Sequence, residues 1–124
     1  MIRVVIVSPD RETFAEFASA FTEHEDTQLS WAASGEMALE LATDPPVDLV
    51  VADEILADMT GLELAEKLVR RNPMINCACV SRLSQGAFHE ASEGLGLMPR
   101  LSPRPGKKEG EALLTTLKQL KGEL

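Results

Sequence analysis

Two rhythms of apolar residues alternate along this chain. Val4, Val5, Ile6 and Val7 form an unbroken run, after which Phe14, Phe17, Ala18 and Phe21 recur at helical spacing. A run apolar at every position suits a strand buried on both faces, as in a parallel sheet covered by helices. Residues 29–33 read as a second strand, followed by Ser34 and Gly35 opening a helix that carries Met37, Ala38 and Leu41 and that Pro45 and Pro46 stop. Leu49, Val50, Val51 and Ala52 make a third strand. Thr60 with Glu63 then forms a capping-box pattern ahead of a helix with Leu62, Ala65, Leu68 and Val69 on its inner face, ended by Asn72 and Pro73. Residues 75–80 read as the fourth strand, and Ala87, Phe88, Ala91 and Leu95 mark the fourth helix. Residues 97–101 give a weaker fifth strand, and a last helix near residues 109–120 is expected to bury Leu113, Leu117 and Leu120.

Five repeats of strand then helix predict an α/β fold: a doubly wound, five-stranded parallel sheet with right-handed crossovers and helices on both faces. The flavodoxin-like strand order 2-1-3-4-5 fits this count. Residues 1–124 read as one domain without internal repeat, low-complexity tract or linker. The final helix reaches the carboxyl terminus, so no output domain is expected, and the chain is a stand-alone module or a piece of something longer.

Composition narrows the classes. With 44% hydrophobic and 26% charged residues over 124 positions, the chain suits a single globule with a real core. No apolar run approaches the ~20 residues of a membrane helix, and Met1, Ile2 and Arg3 enter a strand without a signal peptide, so no membrane contact and a cytoplasmic location are expected. A formal charge of −8 argues against nucleic-acid binding, which needs a basic face, and favours a cationic partner or a metal. Cys77 and Cys79, at strand spacing in an apolar run, read as small core residues, and the isolated His24 and His89 give no zinc pattern.

Candidate chemistry centres on Asp53, at the end of the third apolar strand. In open parallel sheets the functional crevice lies beyond the carboxyl ends of the strands, so a carboxylate there is a candidate nucleophile or metal ligand. On its own it would more often be an acidic residue ending a strand in solvent. Its surroundings argue otherwise. Residues 48–64 resemble the receiver domain of two-component response regulators, in which an apolar strand ends in an acceptor Asp, a loop carries an acidic residue and Met, and a Gly opens a helix. Asp53, Asp58, Met59 and Gly61 match, Ala57 stands where the family has Pro, and the resemblance runs along essentially the whole chain.

The resemblance implies that Asp53 takes a phosphoryl group from a histidine of a partner kinase or phosphotransfer protein, forming an acyl phosphate. It implies Mg²⁺ held by Asp10, Asp53 and the backbone carbonyl of Ile55, a phosphoryl contact from the Ser81 hydroxyl, and a cation offsetting the phosphoryl charge. Such a domain is a signalling module with no catalytic residues of its own. It meets a downstream protein through the face built from residues 84–120, and pairing of the module with itself stays open.

The chain also departs from the family. Ser8 and Pro9 stand where receivers carry an acidic pair, leaving Asp10, which equally suits the positive end of the first helix. Arg82 follows Ser81 where a small residue is usual, and Arg100 replaces an aromatic switch residue. Matched without gaps, the family lysine falls on Pro103. A slip of one residue restores a cation and a proline as Arg104 and Pro105 but needs an insertion, and arginine is not interchangeable with lysine in a tight site. Residues 99–108 form a basic, proline-punctuated strip that reads as a solvated connection or as a stiff docking segment.

Two alternatives accompany this reading. One is a pseudo-receiver that binds proteins independently of phosphorylation. The other is a flavin or phosphatase fold of similar topology. The first loop lacks glycine for cradling a flavin phosphate, and the sequence Asp53, Glu54, Ile55 lacks the second Asp of dehalogenase-like phosphatases.

Overall fold

The computed structural model describes residues 1–42 and 47–122. Four parallel strands, β1 (Ile2–Val7), β2 (Thr27–Ala32), β3 (Leu49–Ala52) and β4 (Asn76–Cys79), lie in the order β2-β1-β3-β4. A short 3-10 helix (Arg11–Phe14) leads into α1 (Ala15–Thr22). The remaining helices are α2 (Gly35–Leu41), α3 (Gly61–Arg71), α4 (Gln85–Ala91) and α5 (Lys107–Leu120). The expected stop at Pro45 and Pro46 lies outside the described residues.

Alternation along the strands sorts the core into two layers. Ile2, Val4, Ile6, Leu49, Val51, Ala78 and Val80 point to the layer of α1 and α5, among Phe14, Phe17, Phe21, Leu113 and Leu117. Val5, Val7, Val50, Ala52, Cys77 and Cys79 point the other way, among Ala38, Leu39, Leu64, Leu68 and Phe88 of α2, α3 and α4. Both cysteines are therefore core residues, and burial pushes each thiol up to about 12, which leaves them as inert thiols.

The fifth strand is reduced to a single bridge, Val80 with Leu101. The hydrogen bonds give the reason. Met98 N–H donates to the Cys77 carbonyl and Leu101 N–H to the Cys79 carbonyl, so three residues are spanned on one side against two on the other. One extra residue bulges out between them, beside Pro99, which has no N–H to offer the ladder. This corrects the expected five-stranded sheet to four strands plus a bridge. Leu95 lies beyond the end of α4. Leu120, expected in the core, is 65% exposed, because Leu114 (3%) takes a place on the inner face of α5 beside Leu113 and Leu117.

Candidate functional site

The parallel sheet presents the carboxyl ends of β1, β3 and β4 along one rim. β3 is short and wholly buried, and its ladder to β1 continues one step past the strand: Asp53 N–H donates to the Val7 carbonyl at 2.9 Å. Asp53 is thereby fixed by backbone at the rim, with its side chain partly exposed. Two donors hold the carboxylate. Ser8 Oγ, from the end of β1, donates to Oδ2 at 2.9 Å, and the Glu54 N–H donates to Oδ1 at 2.8 Å.

The loop after Asp53 is shaped by close approach. Gly61 opens α3 directly against the Asp53 carbonyl, where a Cβ would sit 2.4 Å from that oxygen. The predicted capping box is present: Thr60 Oγ1 accepts from Glu63 N–H at 3.1 Å, and Glu63 Oε1 accepts from Thr60 N–H at 3.2 Å. Asp58 reaches across to cap α2, its carboxylate accepting from the Gly35 and Glu36 N–H groups at 2.8 and 3.0 Å. Those two backbone bonds hold the exposed Asp58 carboxyl below its ordinary value of 3.8. A depressed carboxyl contributes stability that is fully present above its unfolded value and is lost as pH falls through the folded one. Asp58→Asn is therefore expected to weaken the acid-side loss of stability below about pH 3.8, which denaturant titrations at neutral and acid pH would measure. An acid limb unchanged by the substitution would contradict this.

Asp10 is placed differently from the metal role that the resemblance implies for it. Its N–H donates to Ser8 Oγ at 3.0 Å, but its carboxylate caps the 3-10 helix, accepting from Glu12 N–H at 3.0 Å and Thr13 Oγ1 at 3.3 Å. Ile55 is 64% exposed and bridges Thr60 through bonds from Gly61 to Glu54 and from Leu56 to Met59, which leaves its own carbonyl out of the bridge. No group of three His, Cys, Asp or Glu side chains able to hold a metal occurs among the described residues.

Ser81, from the end of β4, is buried and turns its hydroxyl to Glu54 Oε2 at 3.4 Å, while also accepting from Leu83 N–H at 3.1 Å. Glu54 further accepts from Arg82 N–H at 3.1 Å and pairs loosely with the Arg82 guanidinium at 3.9 Å. Arg100 Nη1 donates to the Ser81 carbonyl at 3.4 Å, and its buried Nε has no partner among the described residues. Burial would raise the Glu109 carboxyl, but bonds from Ser102 and Gly106 and the nearby Arg100 charge bring it below its ordinary value. Arg104 stands apart. It is exposed, adopts φ 54°, a left-handed backbone that non-glycine residues rarely take, and lines a cleft with Glu12, Thr13, Ala15, Glu16 and Pro105.

The rim thus joins Ser8 to Asp53 directly and Ser81 with Arg82 to it through Glu54. Glu54 was not singled out by sequence. Its one signal was adjacency to Asp53, and its partners lie 27 and 28 positions away.

Among known proteins, the profile of the response regulator receiver domain matches residues 4–102. The chain belongs to the response regulator receiver family. It is 35% identical over 69 residues to the probable transcriptional regulatory protein TcrX of Mycobacterium tuberculosis, an alignment covering 56% of this chain and 30% of that protein. The chain thus spans less than a third of that relative's length. Two solved receivers share the fold. A CheY-like response regulator receiver domain protein from Methanospirillum hungatei superposes with TM-score 0.82 at 20% identity, covering 100% and 99% of the two chains. The receiver domain of the Francisella response regulator 1452 does so with TM-score 0.83 at 18% identity, covering 98% and 99%.

Receivers are signalling modules of two-component systems and not classical enzymes, and they typically bind Mg²⁺ in an acidic pocket. At the rim of this receiver stand Asp53, Ser81 and the close approach of Gly61, with Ser8, Pro9 and the capping Asp10 after β1. No helix among the described residues is long and apolar enough to cross a membrane.

Proposed function

We propose that this receiver accepts a phosphoryl group on Asp53 from a phosphohistidine of a histidine kinase or phosphotransfer protein and signals by protein contact. One observation carries the reading: the Asp53 carboxylate is held at the rim by donors from two different elements, Ser8 Oγ and Glu54 N–H, with its backbone pinned to β1. In the transfer, a carboxylate oxygen of Asp53 forms a new P–O bond as the P–N bond to the donor imidazole breaks, and the electron pair returns to the ring nitrogen. The chain's part is positioning and charge compensation, since phosphoryl transfer asks little covalent chemistry of the protein. Ser8 orients the nucleophile. In this reading Ser81 donates to the phosphoryl once its hydroxyl turns from Glu54.

Arg104 is the family-lysine candidate in this proposal. The extra residue between Met98 and Leu101 supports the shifted match. Mg²⁺ dependence is expected to be weak, because Asp10 would have to leave its helix cap to assist Asp53 and the Ile55 carbonyl. For a downstream protein, the face of residues 84–120 offers two clefts flanking residues 97–101. One, of about 330 Å³, is lined by Phe88, His89, Leu97 and Arg100, and the other, of about 190 Å³, by Leu101, Glu109, Leu113 and Thr116.

Incubation with acetyl phosphate followed by intact mass measurement is expected to show a base-labile phosphoryl adduct on the wild type and none on Asp53→Asn. Absence of any adduct would overturn the proposal and favour the phosphorylation-independent pseudo-receiver.

A further inference from the structure

The Glu54 carboxylate is met by one short segment: its Oε2 accepts from the Ser81 hydroxyl at 3.4 Å and the Arg82 N–H at 3.1 Å, and its Oε1 lies 3.9 Å from the Arg82 guanidinium. A hydroxyl, a backbone amide and a guanidinium around one carboxylate make a cradle suited to an oxyanion. The occupant belongs to the residue next to the acceptor, and its own N–H holds Asp53 Oδ1 at 2.8 Å.

We propose that Glu54 is a built-in occupant of this anion cradle, and that Arg82 supplies cationic charge to a phosphoryl group on Asp53 once Glu54 is displaced. The inference rests on Asp53 as phosphoacceptor and names how its charge is offset. The phosphoryl group brings close to two negative charges beside a carboxylate, so Glu54 is repelled while Ser81 and Arg82 gain a stronger acceptor. Glu54 yields readily because its pair with Arg82 is loose and watery: the two side chains are 32% and 84% exposed. The cradle borders Asp53 whether or not Glu54 occupies it, because Ser81 and Arg82 follow β4, which pairs with β3, and Val80 N–H donates to the Ala52 carbonyl. On a chain of net charge −8, a guanidinium kept at the mouth of the site also offsets an unfavourable field for an anionic phosphodonor.

The test compares wild type, Glu54→Ala, Arg82→Ala and the double variant in two assays. The first is the initial rate of phosphoryl incorporation from acetyl phosphate. The second is an orthophosphate titration followed by the amide resonances of residues 81–83. Glu54→Ala is expected to raise both the rate and the phosphate affinity about two- to fivefold, the range that an exposed pair holds back. Arg82→Ala lowers both, and the double variant loses the gain. Equal rates and equal phosphate affinities across the variants would overturn the cradle while leaving the phosphoacceptor standing. If no variant is phosphorylated but Glu54→Ala still binds phosphate more tightly at residues 81–83, the cradle stands and the phosphoacceptor falls. If neither assay responds, the cradle falls.

Discussion

Phe17→Ala is expected to destabilise the protein by about 3–5 kcal/mol, a large share of the roughly 5–15 kcal/mol that holds a domain of this kind together. Phe17 is fully buried and stands between two rings, edge-on to Phe14 at 5.8 Å and tilted against Phe21 at 5.2 Å. Its main chain and ring also form the surface against which Gly110 of α5 packs: a Cβ there would meet the Phe17 carbonyl at 2.7 Å. Truncation therefore leaves a cavity lined by two helices in contact, neither of which can close on it without losing the other. Equilibrium denaturant unfolding should show the midpoint falling sharply with little change in slope. A loss of less than about 1 kcal/mol would mean that α1 does not carry the core in this way.

Gly61→Ala is expected to affect stability and phosphorylation together. Helix propensity alone would make alanine better than glycine, by up to about 1 kcal/mol in a helix interior. The close approach reverses the sign, because the new Cβ would lie 2.4 Å from the Asp53 carbonyl and 3.3 Å from Ala52 Cβ. Backbone at the end of a central strand yields little, so a net cost of about 1–3 kcal/mol is expected. Whatever gives way moves residue 53, and a shift on the order of 1 Å in a reacting group costs up to about 10²-fold in rate. Acetyl phosphate kinetics should slow under conditions where circular dichroism still reports a folded chain. An unchanged rate would contradict the placement of Gly61 against Asp53.

What the sequence disclosed follows from how far each interaction reaches along the chain. The third strand, Asp53 at its end and the Thr60 and Glu63 box were legible because each is written within a few consecutive residues. The two-sided burial of β1 and β3 was legible for the same reason. The fifth strand misled because its apolar pattern is correct while its register is not: the extra residue between Met98 and Leu101 shows only against Cys77 and Cys79. Leu120 misled because helical spacing names a stripe without saying where the packing partner ends. Asp10 illustrates a competition between roles. The resemblance offers it to a metal, while the local geometry gives its carboxylate to Glu12 N–H and Thr13 Oγ1. Arg82 was noticed, but its contact with Glu54 was hidden for the opposite reason, since that bond joins the ends of two strands that are adjacent only in the folded sheet.

The most direct test of the phosphoacceptor reading is chemical mapping of the phosphorylated site. After treatment with acetyl phosphate, borohydride reduction converts an acyl phosphate on aspartate to homoserine, and peptide mass spectrometry then locates the change. The account predicts homoserine at position 53 and nowhere else, dependent on the phosphodonor. Homoserine at Asp10 or Asp58 in its place, 5-hydroxynorvaline at Glu54, or no reduced residue at all, would contradict it.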